Sequence, residues 1–482
     1  MKLKSIKINK ENIIKYSIFG VFIILTLFIM LNRTPFWDEA NSWMVSKSFN
    51  LFELIQIEKY DGHLFIWHLL QMPFSKNDFY YPYSIYFLNW IFCLIALIIF
   101  WNKAPFNILE KSLITLSFPF VRYFSTVARC YSIGILFLFL ILSFYPERLK
   151  RPYLISTLII LLANTSAMAL IGAFSLGIIF IYDIIKEKVD KKVLIYSSLI
   201  LLTGALLAGF QLFGAEYKLY EYGKDNFILR TLGFFFLFEA GNSDIFALIF
   251  SKAFSFIVFA ILFCTIFYLK NSKNALLFII ISNCMLLYLF IFKYPGDWWH
   301  YLFFFIFLIS AIWLKRIEDN KPSKFEKPFN ILFLILISFL FIETFVCKID
   351  KYPYVFSGRG EEIAKIIKTN NLFKDNDKVI ALDAFSDTSI GINPYFKNLK
   401  MYDIFGSQRY TPKGYKNNLY YHKTKINYEN IYKIAGDNSR TIAITSHYPG
   451  LDFDDTGRVK FIKLFENKDP GFIIYEVKKI KD

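Results

Sequence analysis

Between residues 13 and 347 the chain alternates apolar runs of about bilayer length with short polar loops. A helix needs about 20 predominantly apolar residues to cross the hydrocarbon core of a membrane. Runs of this kind lie near 13–32, 80–101, 111–126, 128–145, 153–165, 167–183, 193–213, 251–269, 275–293, 298–314 and 328–347. They predict a polytopic α-helical membrane protein with about eleven transmembrane helices, whose two ends face opposite sides. Of 482 residues, 55% are hydrophobic and 20% aromatic, and the 57 Phe and 31 Tyr exceed what one soluble core needs.

Lys and Arg in the connecting loops set the orientation. "MKLKSIKINK" at the N-terminus, "PERLKRP" (146–152), "KEKVDKK" (186–192), "LKNSK" (269–273) and "KRIEDNKPSK" (315–324) fall on one side, and the loops between them are poor in basic residues. That side is expected to be the cytoplasm of a plasma (inner) membrane protein. The loop at 33–79 and everything after residue 348 are then extracytoplasmic. The net charge of +16 is a topology signal and not a nucleic-acid footprint, which would need a basic stripe on a soluble face. The first span carries no small-residue cleavage site behind it and reads as a retained helix.

Cys93, Cys130, Cys264, Cys284 and Cys347 lie within or at the ends of spans, without CxxC spacing. Neither a disulfide framework nor a thiolate zinc site is expected outside the membrane. No repeat of fixed period is present, which disfavours carriers built from paired halves.

Two domains are expected, a transmembrane domain at 1–347 and a small extracytoplasmic α/β domain at 348–482. In the second, "EEIAKIIKTNNLF" (361–373) has helical spacing, while "KVIALD" (378–383), "RTIAITS" (440–446), "RVKFIKLFE" (458–466) and "GFIIYEVKKI" (471–480) read as strands. The outer loops 33–79 and 214–250 mix charged, aromatic and apolar residues as interfacial helices do, "FELIQIEKYDGHLFIWHLLQMPF" (52–74) above all.

Ionisable groups are costly inside a membrane and mark function. Here they cluster at the outer ends of spans: Asp38, Glu39, Arg122, Arg129, Glu239, Asp297, His300 and Glu343. The midplanes are nearly free of them, which argues against an ion- or proton-coupled carrier. Arg offers a planar fork to a phosphate, carboxylates offer a base or metal ligands, and Trp and Tyr suit both the interface and sugar faces. These residue types fit glycosyl transfer from a lipid phosphate carrier at the outer face.

"FWDEA" (36–40) after the first span, "GHLFIWHLL" (62–70), "ARCYSIGILF" (128–137) and "YPGDWWHYLFFF" (294–305), in this order and on one side, resemble integral-membrane glycosyltransferases of the GT-C fold. The group most similar is the protein mannosyltransferase and aminoarabinose transferase-like one, over roughly the first 315 residues. The resemblance implies an inverting enzyme that takes a sugar from a polyprenyl-phosphate donor to a lipid, glycan or protein acceptor. It places Asp38 as catalytic base or metal ligand with Glu39 beside it, and His63 near the sugar, although Leu64 and Phe65 stand where the family has prolines. It also places Arg129 and Tyr131 near the carrier phosphate and His300 among the basic residues at the head of a late span. Arg122 and Asp297 join them as candidate substrate-binding residues. A divalent metal ion is compatible with the adjacent acids.

Each assignment has a plainer counterpart. Asp38 and Glu39 suit the first turn of a helix, Arg129 can snorkel to headgroups, and Tyr131, His63 and His300 can be interfacial anchors. Arg122 and Asp297 can pair with one another, and "SGRGEE" (357–362) can bind an anion at a helix N-terminus. The alternative function is a transporter or flippase of a lipid-linked saccharide that cleaves no bond. A non-catalytic assembly protein, in which Asp38 is dispensable, is the third.

Overall fold

The computed structural model describes residues 10–60, 63–212, 261, 263–293, 298–318, 323–346, 358–374, 377–383, 386–413, 428–435, 440–446 and 459–480. Helices α1 (Lys10–Leu31), α2 (Trp37–Ser48), α3 (Leu51–Ile57), α4 (Ile66–Ser75), α5 (Tyr83–Lys103), α6 (Ile108–Thr115), α7 (Tyr131–Phe144), α8 (Pro152–Ala163), α9 (Ala167–Lys186) and α10 (Lys191–Leu212) come first. They are followed by α11 (Lys273–Tyr288), α12 (Trp298–Ile317) and α13 (Glu326–Val346). The C-terminal part adds α14 (Gly360–Thr369), β1 (Lys378–Ala381), β2 (Lys400–Tyr402), α15 (Tyr428–Ile434), β3 (Thr441–Ser446), β4 (Val459–Lys468) and β5 (Gly471–Lys479).

Among the described residues, seven helices are long and apolar enough to cross a membrane: α1, α5, α9, α10, α11 with its π-helical extension to Lys293, α12 and α13. The apolar stretches Tyr131–Glu147 and Pro152–Ala163 are shorter. Most of the run at 251–269, and the loop at 214–250, lie outside the described residues. The run at 111–126 is two pieces, α6 and a π-helical turn Pro119–Phe124. Pro119 explains the break, because its ring clashes with the carbonyl four residues back and it has no N–H to donate.

The chain divides into two compact units. The first contains the described residues of Met1–Met30, Leu88–Phe210 and Tyr217–Lys348. In it α8 packs on α7 and α9, and α11 on α9 and α12. A Cβ on Gly134 would lie 3.0 Å from Thr165 Oγ1 and 3.2 Å from Ala169 Cβ, so the missing side chain brings α7 close to its neighbours. Small residues serve this purpose where lipid supplies no hydrophobic drive between helices.

The second unit contains the described residues of Leu31–Phe87, Gln211–Glu216 and Ile349–Asp482. Its sheet has the order β2-β1-β3-β5-β4, with β1 parallel to β2 and β3, and β5 antiparallel to β3 and β4. Ile363, Ala364 and Ile367 of α14 cover one face with Val379, Ala381, Ile442 and Ile444. Ile431 and Ile434 of α15 cover the other with Ile380, Ala443 and Val477. Burial on both faces explains why β1 and β3 are unbroken apolar runs and not alternating ones.

The stretch at 52–74 holds the two helices α3 and α4. Asn50 caps α3 by accepting from the N–H groups of Phe52 and Glu53, both at 3.0 Å, and Glu53 returns the bond to the Asn50 N–H. Val45, Phe49, Leu54 and Ile57 form a small core there, against which Phe65 and Met72 pack. Gln71 of α4 donates to Ser42 Oγ of α2 at 2.8 Å.

Candidate functional site

The two acids after the first apolar helix take different roles. Glu39 is 0% exposed, and one of its oxygens accepts from both the Arg33 guanidinium and the Phe36 N–H, the latter at 2.8 Å. That carboxylate therefore ties down an otherwise orphan donor at the start of α2 and neutralises a buried arginine. Burial works against the Arg33 charge, but Glu39 together with Tyr86 and Tyr81 more than offsets it, and Arg33 is held above its ordinary value. Its guanidinium also lies over the Tyr86 ring at 4.6 Å. Asp38, one residue earlier on the same turn, is only half-buried.

The segment 34–36 that sets this turn is bonded to the C-terminal part of the same unit. Gly358 N–H donates to Pro35 C=O at 3.1 Å, and Thr34 Oγ1 donates to Gly358 C=O. Helix α2 packs on the π-helical turn Asp387–Gly391 and on the turn Asn393–Tyr395. Tyr81 stands between Trp43 and Tyr395, at ring separations of 5.0 and 5.5 Å. Burial raises the Tyr81 and Tyr395 hydroxyls well above the ordinary phenol range. The "SGRGEE" segment starts α14 as expected, and the anion at that end is internal. Asp387 Oδ2 accepts from the Arg359 N–H at 2.8 Å.

In the helical unit a basic and aromatic group gathers around the π-helical turn and the starts of α7 and α12. Arg122, Arg129 and His300 are 7%, 5% and 4% exposed. Arg122 donates through Nη2 to Thr344 C=O at 2.9 Å, and Thr344 Oγ1 donates to Leu116 C=O at 2.9 Å. The Tyr131 ring lies 5.9 Å from His300, edge-on, and 5.8 Å from Tyr123, which stacks on Trp299. Asn89 Nδ2 and Ser132 Oγ both donate to Phe124 C=O and pin the backbone that leads to Arg129.

Of the residues singled out from sequence, Asp38 and Glu39 share one turn of the second unit, and His63 lies half-buried ahead of α4 in that unit. Tyr131 and His300 meet in the first unit, where Arg122 and Arg129 are buried. Asp297 lies outside the described residues. Among the described residues, no cluster of three or more His, Cys, Asp or Glu side chains could hold a metal ion. The motif "GHLFIWHLL" contains a second histidine that sequence reasoning passed over: His68 Nδ1 lies 2.7 Å from Glu58 Oε1, both buried. Arg33 was also passed over. It lies five residues before Asp38, close enough to have been weighed as a partner for the acidic pair.

No protein-family model matches the chain, and no curated protein is significantly similar to it.

Proposed function

We propose that the chain is an inverting membrane glycosyltransferase of GT-C type, with about eleven spans, a cytoplasmic N-terminus and its C-terminal α/β part on the outer face of the plasma membrane. In this reading a sugar moves from a polyprenyl-phosphate donor to an acceptor hydroxyl. The observation that carries the proposal is the burial of Arg122, Arg129 and His300 among Tyr123, Tyr131 and Trp299 in a unit built of membrane-length apolar helices. Basic groups in such surroundings are expensive and are kept for function, here for a lipid phosphate.

The acceptor oxygen attacks the anomeric carbon and the bond from that carbon to the phosphate oxygen breaks. The hydroxyl proton goes to Asp38, and the bonding pair leaves with the polyprenyl phosphate. Arg129, with Arg122 and His300 in support, balances the charge that develops on that phosphate. The resemblance gives the base role to Asp38, while Glu39 is engaged with Arg33 and the Phe36 N–H. A divalent cation, where the reaction uses one, would take Asp38 and donor phosphate oxygens as ligands.

The test is consumption of radiolabelled polyprenyl-phosphate sugars by membranes that express wild type, Asp38→Asn or Arg129→Ala, with detergent-extracted yield as the measure of folding. A loss of about 10²-fold or more in well-folded Asp38→Asn, the share of a positioned base, supports the proposal. Equal rates for Asp38→Asn and wild type would remove Asp38 from the chemistry. If wild type consumes no donor of a broad panel, the flippase reading gains.

A further inference from the structure

The joint between residues 34–36 and the C-terminal region is tighter than surface packing requires. A Cβ on Gly358 would lie 2.3 Å from Pro35 C=O oxygen, 2.5 Å from Asp387 Oδ1 and 3.3 Å from Phe36 Cα, so no other residue fits without displacing backbone. A Cβ on Gly360 would lie 2.4 Å from the Gly391 carbonyl carbon, which places two backbones in direct contact. Asp387 closes the joint. Its Oδ2 takes the Arg359 N–H, and its Oδ1 is enclosed beside Gly358 and Gly391 with no hydrogen-bond partner among the described residues. Gly358 itself makes a reciprocal pair of bonds to residues 34 and 35, and Phe36 is the first residue of the turn that carries Asp38 and Glu39.

We infer that Gly358 and Asp387 are positioning residues, through which the C-terminal α/β region fixes the N-terminal turn of α2 and with it the Asp38 carboxylate. The region is thereby part of the catalytic apparatus and not a cap on it. A base must sit within hydrogen-bond reach of the proton it takes, and a displacement of about 1 Å at such a group costs on the order of 10²-fold. The joint itself stands on geometry alone, and its catalytic consequence rests on the transferase reading.

The experiment uses full-length protein in detergent as wild type, Gly358→Ala, Thr34→Val, Asp387→Asn and Asp387→Leu, with amide hydrogen exchange followed over α2 and over β3 and β5. Gly358→Ala is expected to speed exchange at the amides of Glu39 and Ala40 by about tenfold while β3 and β5 exchange as in wild type. Thr34→Val, which removes one bond from the loop side and cannot unfold the sheet, is expected to speed it by about fivefold, the worth of one net hydrogen bond. Asp387→Asn keeps the acceptor for the Arg359 N–H and should exchange no faster than wild type, whereas Asp387→Leu should exchange faster. If Gly358→Ala also loosens the sheet, Thr34→Val alone decides, and unchanged α2 exchange in it overturns the joint.

Donor consumption by the same variants separates the two readings. A fall in kcat of tenfold or more at constant KM marks displacement of a group used only in the transition state. Faster α2 exchange with unaltered kcat overturns the positioning role. Faster exchange together with no effect of Asp38→Asn removes Asp38 as the base and leaves the joint standing, whereas no donor consumption by wild type overturns the transferase reading.

Discussion

The Arg33 guanidinium and the Glu39 carboxylate form a buried ion pair across the bend that leads into α2, six residues apart in the chain. Such a pair adds little over a well-packed apolar pair, yet the loss of one partner strands a charge at about 3–5 kcal/mol. Glu39→Gln keeps an acceptor for the Phe36 N–H but leaves the Arg33 charge uncompensated. It should lower the melting temperature in detergent sharply, and Arg33→Met combined with Glu39→Leu should recover most of the loss. Melting of Glu39→Gln at the wild-type temperature would show that the Arg33–Glu39 pair does not hold this bend.

Under the proposed transferase reading, the expectation at Arg129 concerns geometry more than charge. Arg129→Lys keeps the positive charge but loses the planar fork that matches two phosphate oxygens. It is expected to lower kcat/KM for a polyprenyl-phosphate donor by about tenfold or more at unchanged extraction yield. Tyr131→Phe keeps the ring contacts with His300 and Tyr123 and should leave the yield unchanged as well. Full activity of Arg129→Lys would mean that Arg129 acts as a headgroup anchor only.

Asp387 gives the joint a pH dependence. Burial holds its carboxyl above the ordinary range, and the Arg359 N–H and charge pull the other way without cancelling that rise. An acid whose folded-state pKa is raised contributes fully to stability below its unfolded value, about pH 4, and the contribution is lost as pH rises through the folded value. Wild type is therefore penalised at about pH 7, and neutral Asp387→Asn is not. Asp387→Asn is expected to melt above wild type at about pH 7, with the two converging toward about pH 4. A difference that stays constant with pH would remove Asp387 as its source.

What the sequence made legible follows from the range of the interactions involved. Apolar length is a local property, and the runs that became α1, α5, α9, α10, α11, α12 and α13 are plain in the chain. So are α14 and the strands at 378–381, 441–446, 459–468 and 471–479. Strand β2, three residues long, carries too little pattern to be seen and exists because Lys378, Val379 and Ile380 supply its partners. Asp38 and Glu39 look equivalent in sequence, which does not show that Glu39 is bonded to Arg33 and the Phe36 N–H. The Gly358 joint depends on residues 324 positions apart, a relation no local pattern records.

That joint also constrains topology. Residues 31–87 and the described residues after 349 belong to one compact unit, so both lie on the same side of any membrane the chain crosses, and an even number of crossings separates them. The ten runs between residues 80 and 347 satisfy this parity. Phe52 on α3 is 78% exposed and the Lys463 side chain on β4 is 57% exposed, so both positions can report. In a cysteine-free background, Phe52→Cys and Lys463→Cys are expected to react alike with a membrane-impermeant maleimide in intact cells, and both to react if the unit is extracytoplasmic. A cysteine at Lys150 or Lys188, in the basic loops, should react only after permeabilisation. Reaction of position 52 without position 463 would break the compact unit, whereas protection of both with reaction at 150 would keep the unit and invert the orientation.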